Sequence, residues 1–326
     1  MSLYDYFRSL GRFGVVPILG YAGLRSQGIT AKECFLDPEA HAKTVAASVQ
    51  QFEPDAALPL LDLTVEAESY GLKPAFKTYD APETRSFLTL DAAAALEPIR
   101  PESTRMALMI RTAQLLSRRV TTVPKGFFTI GPFTLVGQIV GVQQLLVATF
   151  KSRAAVRSLM ENCTRTVADY ARLLEQTGID FLVMADPTSS LISVKDFQEF
   201  AKNPIQQIVK SVSKELILHI CGRSGHLLEQ MVETGVAGIS LDQNVALADA
   251  ARAVPKDVLV FGNYPPANLA IEDPGTVRAN VQRMLSGVSA WENVVASTGC
   301  DIPSTTPPDI VQAFVQAAKS QKRHRN

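Results

Sequence analysis

Leu216-Ile217-Leu218-His219-Ile220-Cys221-Gly222 is a continuously apolar run that closes on two metal-binding side chains and a glycine. In extended chain, residues two apart point the same way, so the imidazole of His219 and the thiol of Cys221 leave the strand end together. A third donor, Cys300 in Ser297-Thr298-Gly299-Cys300-Asp301-Ile302-Pro303, follows another apolar run, Asn293-Val294-Val295-Ala296. This is the pattern of a zinc site assembled from separate strand ends, and it favours an enzyme over a binding module.

Working outward, similar short runs recur: Val15-Val16-Pro17-Ile18-Leu19, Ala56-Ala57-Leu58-Pro59-Leu60-Leu61, Phe127-Phe128-Thr129-Ile130, Asp180-Phe181-Leu182-Val183-Met184, Gly238-Ile239-Ser240-Leu241 and Val258-Leu259-Val260-Phe261. With Leu216 to His219 and Val294 to Ala296 they number eight. Continuous rather than alternating apolar character is what a strand buried on both faces needs, which favours a parallel sheet. Between the runs, His41 to Phe52, Ala154 to Gln176, Val194 to Ser213, Gly225 to Thr234, Thr276 to Gly287 and Asp309 to Lys319 carry apolar residues at helical intervals. Alternation of this kind repeated eight times predicts an α/β fold, a single (β/α)8 TIM barrel over residues 1–320. The exception is 71–125, between the second and third strands, too long for an ordinary loop. It is expected to be a lid or insertion with a hairpin near Phe76 to Leu90 and a helix near Ser103 to Arg118. Residues 321–326 read as a basic, disordered tail.

A chain of 326 residues, 46% hydrophobic, is large enough for one barrel core. Its 32 basic residues balance 32 acidic ones, so no global field draws it to nucleic acid or an anionic membrane. No basic segment followed by an apolar stretch opens the chain and no long uncharged apolar run occurs, so a cytoplasmic location is expected. Four cysteines without close pairing argue against a disulfide framework. Cys34 and Cys163 lie in helical patterns and read as buried thiols, His226 as a capping or packing residue, and His41 and His324 as solvated.

Polar residues follow the carboxyl ends of the expected strands: Asp62, Asp186, His219 with Cys221, Asp242, Asn263 with Tyr264, and Cys300. That is the face on which barrels build active sites. Asp62, Asp186 and Asp242 are candidate catalytic groups, although each also reads as a cap or turn former. One imidazole and two thiolates leave a fourth zinc position open or filled by an exchangeable carboxylate such as Asp242. A thiolate-rich shell weakens zinc as a Lewis acid on water and suits it to hold a substrate thiolate, so alkylation of a thiol is favoured over hydrolysis. Neither His-Glu-x-x-His nor a glycine-rich nucleotide loop is present.

Several segments together resemble the uroporphyrinogen decarboxylase superfamily and, within it, its zinc-dependent methylcobamide:thiol methyltransferase branch. They are Leu61-Asp62-Leu63-Thr64-Val65-Glu66-Ala67-Glu68, Gly131-Pro132-Phe133-Thr134-Leu135-Val136-Gly137-Gln138, Met184-Ala185-Asp186-Pro187, His219-Ile220-Cys221-Gly222, Gly238-Ile239-Ser240-Leu241-Asp242 and Gly299-Cys300-Asp301-Ile302-Pro303. The resemblance implies zinc ligands His219, Cys221 and Cys300, with an acidic residue able to bind zinc falling on Asp242. It also implies a corrinoid protein partner that brings methylcobamide, as substrate, to a small thiol such as coenzyme M. Phe133, Gln138 and Tyr264 become candidates for contact with the cobamide, with packing the alternative for Phe133 and Tyr264. Arg25 or Arg223 is available to an anionic acceptor tail. A homodimer is compatible with the chain.

The decarboxylase branch is similar at Asp62, which there holds the porphyrinogen pyrroles. Its Arg-Gln-Ala-Gly-Arg motif, however, is replaced by Gly20-Tyr21-Ala22-Gly23-Leu24-Arg25, and its tyrosine by Gln138. Losing those groups removes cations that a polycarboxylate substrate requires. Three rivals stay open: tetrahydrofolate or another thiol as acceptor, uroporphyrinogen decarboxylation, and a noncatalytic partner of a corrinoid protein.

Overall fold

The fold is described by a computed structural model covering residues 1–323. Nine strands occur among them: β1 (Gly14–Val15), β2 (Pro74–Ala75), β3 (Glu83–Thr84), β4 (Gly126–Ile130), β5 (Phe181–Ala185), β6 (Glu215–Ile220), β7 (Gly238–Leu241), β8 (Leu259–Tyr264) and β9 (Val294–Thr298). Seven pair in parallel in the order β1-β9-β8-β7-β6-β5-β4, and β2 with β3 makes a separate antiparallel hairpin inside the long insertion. Seven of the eight expected strands thus form the curled parallel sheet of a TIM-type barrel.

The expected second strand, Ala56 to Leu61, is not a regular strand. It nevertheless bridges the two sheet edges: Asp55 N–H donates to the Val15 carbonyl, Ala57 N–H to that of Pro124, and Gly126 N–H to that of Ala57. Pro54 precedes the segment and Pro59 lies within it, and a residue without an N–H cannot sustain a ladder. Asp55 reinforces this closure by accepting from Val15 N–H (2.8 Å) and pairing with Arg12 (2.6 Å).

Strand parity sorts the core into two layers. Ile217, Phe181, Val183, Phe261 and Val295 belong to a cluster that fills the barrel interior. Leu216, Leu218, Ile220, Leu182, Met184 and Val260 pack outward against the helices. Both faces are therefore apolar, which is why the runs did not alternate. Helices start where the chemistry allows. Asp37 accepts from Glu39 and Ala40 N–H ahead of Pro38–Phe52, and Asp273 from Gly275 and Thr276 N–H ahead of Pro274–Ser286. The single helix expected over 194–213 is instead broken into Val194–Phe197, a π-turn at Gln198–Lys202 and Asn203–Ser211. Pro204, which lacks an N–H for the helix ladder, sits at that last junction.

Two histidine and tail expectations need correction. His41 is fully buried and its Nε2 accepts from Leu60 N–H at 3.1 Å, so it is a core residue. Gln321 to Arg323 lack regular structure, yet the Arg323 guanidinium donates to the Val294 carbonyl and lies over the Phe13 ring. The rest of the expected tail, including His324, lies outside the described residues. Among those described, no single helix is long and apolar enough to cross a membrane.

Candidate metal centre

The interior parity that carries Ile217 inward also carries His219 and Cys221 inward, at the carboxyl end of the barrel. His219 is fully buried, while Cys221 and Cys300 are partly exposed. The Nε2 of His219 lies 2.8 Å from Cys221 Sγ, and Cys221 Sγ lies 3.4 Å from Cys300 Sγ. All three donor atoms fall within 4.8 Å of one another. Since β7 and β8 intervene between β6 and β9, the contact to Cys300 crosses the barrel mouth and depends on sheet curvature. Gly299 lets the chain make that approach, because a Cβ there would sit 2.6 Å from Gln243 N.

The second imidazole nitrogen is held as well. In the parallel register of β6 and β7, His219 pairs with Ser240, and Nδ1 lies 2.9 Å from the Ser240 hydroxyl oxygen. With Nδ1–H donating to that oxygen, the Nε2 lone pair is left facing the two sulfurs. Sequence reasoning placed Ser240 on its strand without giving it this task. The signal was a polar residue at an inward position of a strand adjoining the histidine strand.

The thiols behave as a pair. The hydrogen bond shared with Cys221 pulls the Cys300 thiol down, and contact with His219 adds to the effect. The same hydrogen bond pushes Cys221 up, with burial and the neighbouring Cys300, Asp301 and Asp242 charges adding to it. One thiolate is thus stabilised even before any cation arrives. This donor set of one nitrogen and two sulfurs could hold a soft or borderline divalent metal.

The three candidate carboxylates occupy different settings. Asp242 follows β7, and its Oδ1 accepts from the backbone and side-chain nitrogens of Asn244. Its carboxylate is not part of the converging three-atom group. Asn263 steadies this turn by donating to the carbonyls of Asp242 (2.9 Å) and Val245 (2.5 Å). Asp186 is fully buried and bridges elements: Oδ1 accepts from Thr134 N–H, Oδ2 from the Ser189 hydroxyl, and its own N–H donates to the His219 carbonyl. Burial pushes its carboxyl up, against those hydrogen bonds. Gly131 is needed beside it, since a Cβ there would meet Asp186 Cβ at 2.2 Å.

Asp62 is committed to the insertion. Its Oδ1 accepts from the N–H and hydroxyl of Thr64, and its Oδ2 pairs with Arg105 at 2.5 Å. Arg105 also binds Glu68 at 2.6 Å and the Thr64 hydroxyl at 2.9 Å, with its guanidinium over the Phe76 ring. Nearby, buried Glu66 accepts from the Thr129 hydroxyl and Ile130 N–H, which ties this segment to the end of β4. Burial pushes Glu66 up to about 7.

The expected cobamide contacts are dispersed. Phe133 is fully buried and stacks on Phe200. Tyr264 is buried, donates to Glu272 and meets the Phe314 ring edge-on. Gln138 is half-buried on helix Pro132–Val140. Arg25, exposed, lies 4.2 Å from the Tyr79 ring centroid, and Arg223 is exposed. His226, also exposed, meets the carbonyls of Arg223 and Ile192 through its two ring nitrogens.

Residues 11–321 match the family model described as uroporphyrinogen decarboxylase (URO-D). Methylcobamide:CoM methyltransferase MtbA of Methanosarcina mazei is 28% identical over 312 residues, covering 92% of this chain and 89% of the relative. Uroporphyrinogen decarboxylase of Prochlorococcus marinus is 26% identical over 335 residues, covering 96% and 90%. Among solved structures, a methyltransferase from Methanosarcina mazei superposes with a TM-score of 0.87 at 22% identity and covers 98% of both chains, which establishes the shared fold. The chain belongs to the uroporphyrinogen decarboxylase family, an enzyme family whose matching members are named for methyl transfer or for decarboxylation.

Proposed function

We propose that this member of the uroporphyrinogen decarboxylase family moves a methyl group from a corrinoid protein to a thiol held at a zinc ion by His219, Cys221 and Cys300. The observation that carries the reading is the convergence of one imidazole nitrogen and two sulfurs within 4.8 Å. Tetrahedral zinc with Zn–S near 2.3 Å and Zn–N near 2.0 Å has S···S edges of about 3.8 Å and N···S edges of about 3.5 Å. The 3.4 Å and 2.8 Å separations here lie just inside those edges, so the donors fit after small outward rotations. Bound there, zinc would lower the pKa of an incoming thiol and keep its sulfur nucleophilic.

The chain's own residues then orient and exclude. Ser240 fixes the imidazole by accepting from Nδ1–H, and the buried wall behind His219 keeps water from that side. Asp242 is proposed as an exchangeable fourth ligand through its second oxygen, and Asp186 as the brace that holds the His219 backbone. The substrate sulfur forms its bond to the methyl carbon while the carbon–cobalt bond breaks, both electrons staying with the departing corrinoid. The thiol proton leaves to solvent. Coenzyme M or a related small thiol is the acceptor class, and the corrinoid protein docks over the mouth, with Gln138 the one of the three candidates that keeps exposed surface to meet it.

Asp62 argues against decarboxylation of a porphyrinogen, because Thr64 and Arg105 already occupy both of its oxygens. The test is metal analysis combined with demethylation of methylcobalamin across several thiols. One zinc per chain and thiol-dependent demethylation are expected. Turnover of a porphyrinogen that survives a chelator would overturn the proposal, and so would methyl transfer to tetrahydrofolate with no thiol response.

A further inference from the structure

The two sulfurs of the centre are closer to each other than a pair of metal ligands needs to be, and they are the only thiols within reach of the mouth. Cys34 and Cys163 are fully buried in the helix layer, whereas Cys221 and Cys300 are partly exposed. Cys221 and Cys300 come from loops just beyond β6 and β9. From the observed Sγ···Sγ separation of 3.4 Å, a disulfide bond requires closure of about 1.4 Å, which rotation of two loop side chains can supply. Gly222, with φ of +83°, directly follows Cys221, a left-handed turn that a residue with a side chain would rarely adopt.

We infer that Cys221 and Cys300 form a reversible intramolecular disulfide in the metal-free protein, and that this link and metal binding exclude each other. The inference rests on the function proposed above only in naming the metal; the link follows from the separation of the two sulfurs. The oxidant is a low-molecular-weight disulfide. One protein sulfur attacks it, forming a mixed disulfide and releasing one small thiolate. The second protein sulfur then displaces the other small thiolate, giving the internal disulfide. In total, two protein thiols lose two protons and two electrons, and one small disulfide becomes two small thiols. The product leaves His219 as the one free donor of the converging three, so oxidation empties the centre and reduction restores it.

The probe is glutathione disulfide added to reduced, metal-stripped, full-length protein. Two of the four thiols should disappear, and the tryptic peptides containing residues 221 and 300 should appear as one species lacking two hydrogen atoms, split again by dithiothreitol. Free zinc at ten times its dissociation constant should slow the reaction roughly tenfold, as mass action removes the free thiols. Cys300→Ser, checked for an unchanged melting profile, should stop at a single glutathionyl adduct on Cys221. Separate adducts on both cysteines of the native chain, with no joined peptide, would overturn the link. Equal rates with and without bound zinc would overturn the exclusion. Efficient linking in a reduced protein that binds no zinc when the metal is offered would instead sink the proposed function and leave the link standing.

Discussion

Replacing Ser240 by alanine isolates the support given to the histidine ligand. Ser240 is 4% exposed and its oxygen lies 2.9 Å from Nδ1 of a fully buried imidazole, so no water can take its place without rearrangement. A net buried hydrogen bond contributes about 1 kcal/mol, and leaving its donor unsatisfied costs about 1–3 kcal/mol. Part of that loss falls equally on the metal-free fold. The remainder appears in affinity because the freed ring can rotate Nε2 off the two sulfurs. Loss of an outer-shell partner to a metal-binding histidine weakens binding by roughly 10- to 100-fold, equivalent to about 1.4–2.7 kcal/mol. Ser240→Ala should therefore bind zinc about 10- to 100-fold more weakly, measured by competition with a chromophoric chelator on reduced protein. Ser240→Thr, which keeps a hydroxyl, should recover most of the affinity. Unchanged affinity in the alanine variant, with the metal-free melting temperature also unchanged, would refute the argument that this hydroxyl positions the ligand.

Three further outcomes concern buried charged or titratable groups. Arg105 and Asp62 have side chains only 4% and 2% exposed, so Arg105→Met leaves Asp62 and Glu68 without their cation. The expected loss is about 3–5 kcal/mol of stability by urea unfolding, partly recovered when Asp62→Asn is added; an unaltered midpoint would contradict the buried network. For Glu66, burial pushes the carboxyl up to about 7 from an ordinary 4.5. Its contribution is therefore fully present below about pH 4.5 and lost as pH rises through 7, a loss of about 3 kcal/mol. Glu66→Gln should gain on the native chain as pH rises from 5 to 8, and parallel stability curves for the two proteins would count against it. His41 acts with the opposite sign, since burial holds it down near 3 and its support fades as pH falls below 6.5.

What the sequence made legible divides along physical lines. Strands were readable because both faces of each are buried, so Leu216 to Ile220 and Val294 to Ala296 carry an unbroken apolar signal. The Ala56 to Leu61 segment carries the same composition but not the same hydrogen bonding, because composition reports burial while Pro59 decides ladder formation. The helix Val142–Lys151 escaped notice for a related reason. Its Val142, Val147 and Phe150 are exposed and its buried face is only Leu145, Ala148 and Thr149, so apolar residues fall on both faces and the helical stripe is blurred. His41 was misplaced because nothing local distinguishes a solvated histidine from one that accepts the Leu60 N–H across nineteen residues.

The site divides in the same way. The parity of an extended chain puts His219 and Cys221 on one side, and this holds wherever the strand is placed in the fold. Ser240 needs one more step, the knowledge that β6 and β7 are parallel neighbours in a register pairing it with His219. Cys300 needs the whole curvature of the sheet, because two strands separate its own from that of Cys221. The commitment of Asp62 to Arg105 lies beyond all three, since it depends on where an irregular insertion returns to the barrel. Each added contact of longer range is less visible in the chain and more sensitive to the closed shape of the mouth. Expansion of the barrel by a destabilised insertion should therefore separate Cys300 from the His219–Cys221 pair before it disturbs that pair itself. In Arg105→Met the link between residues 221 and 300 should then form more slowly, while Cys221 remains as reactive toward small disulfides as in the native chain.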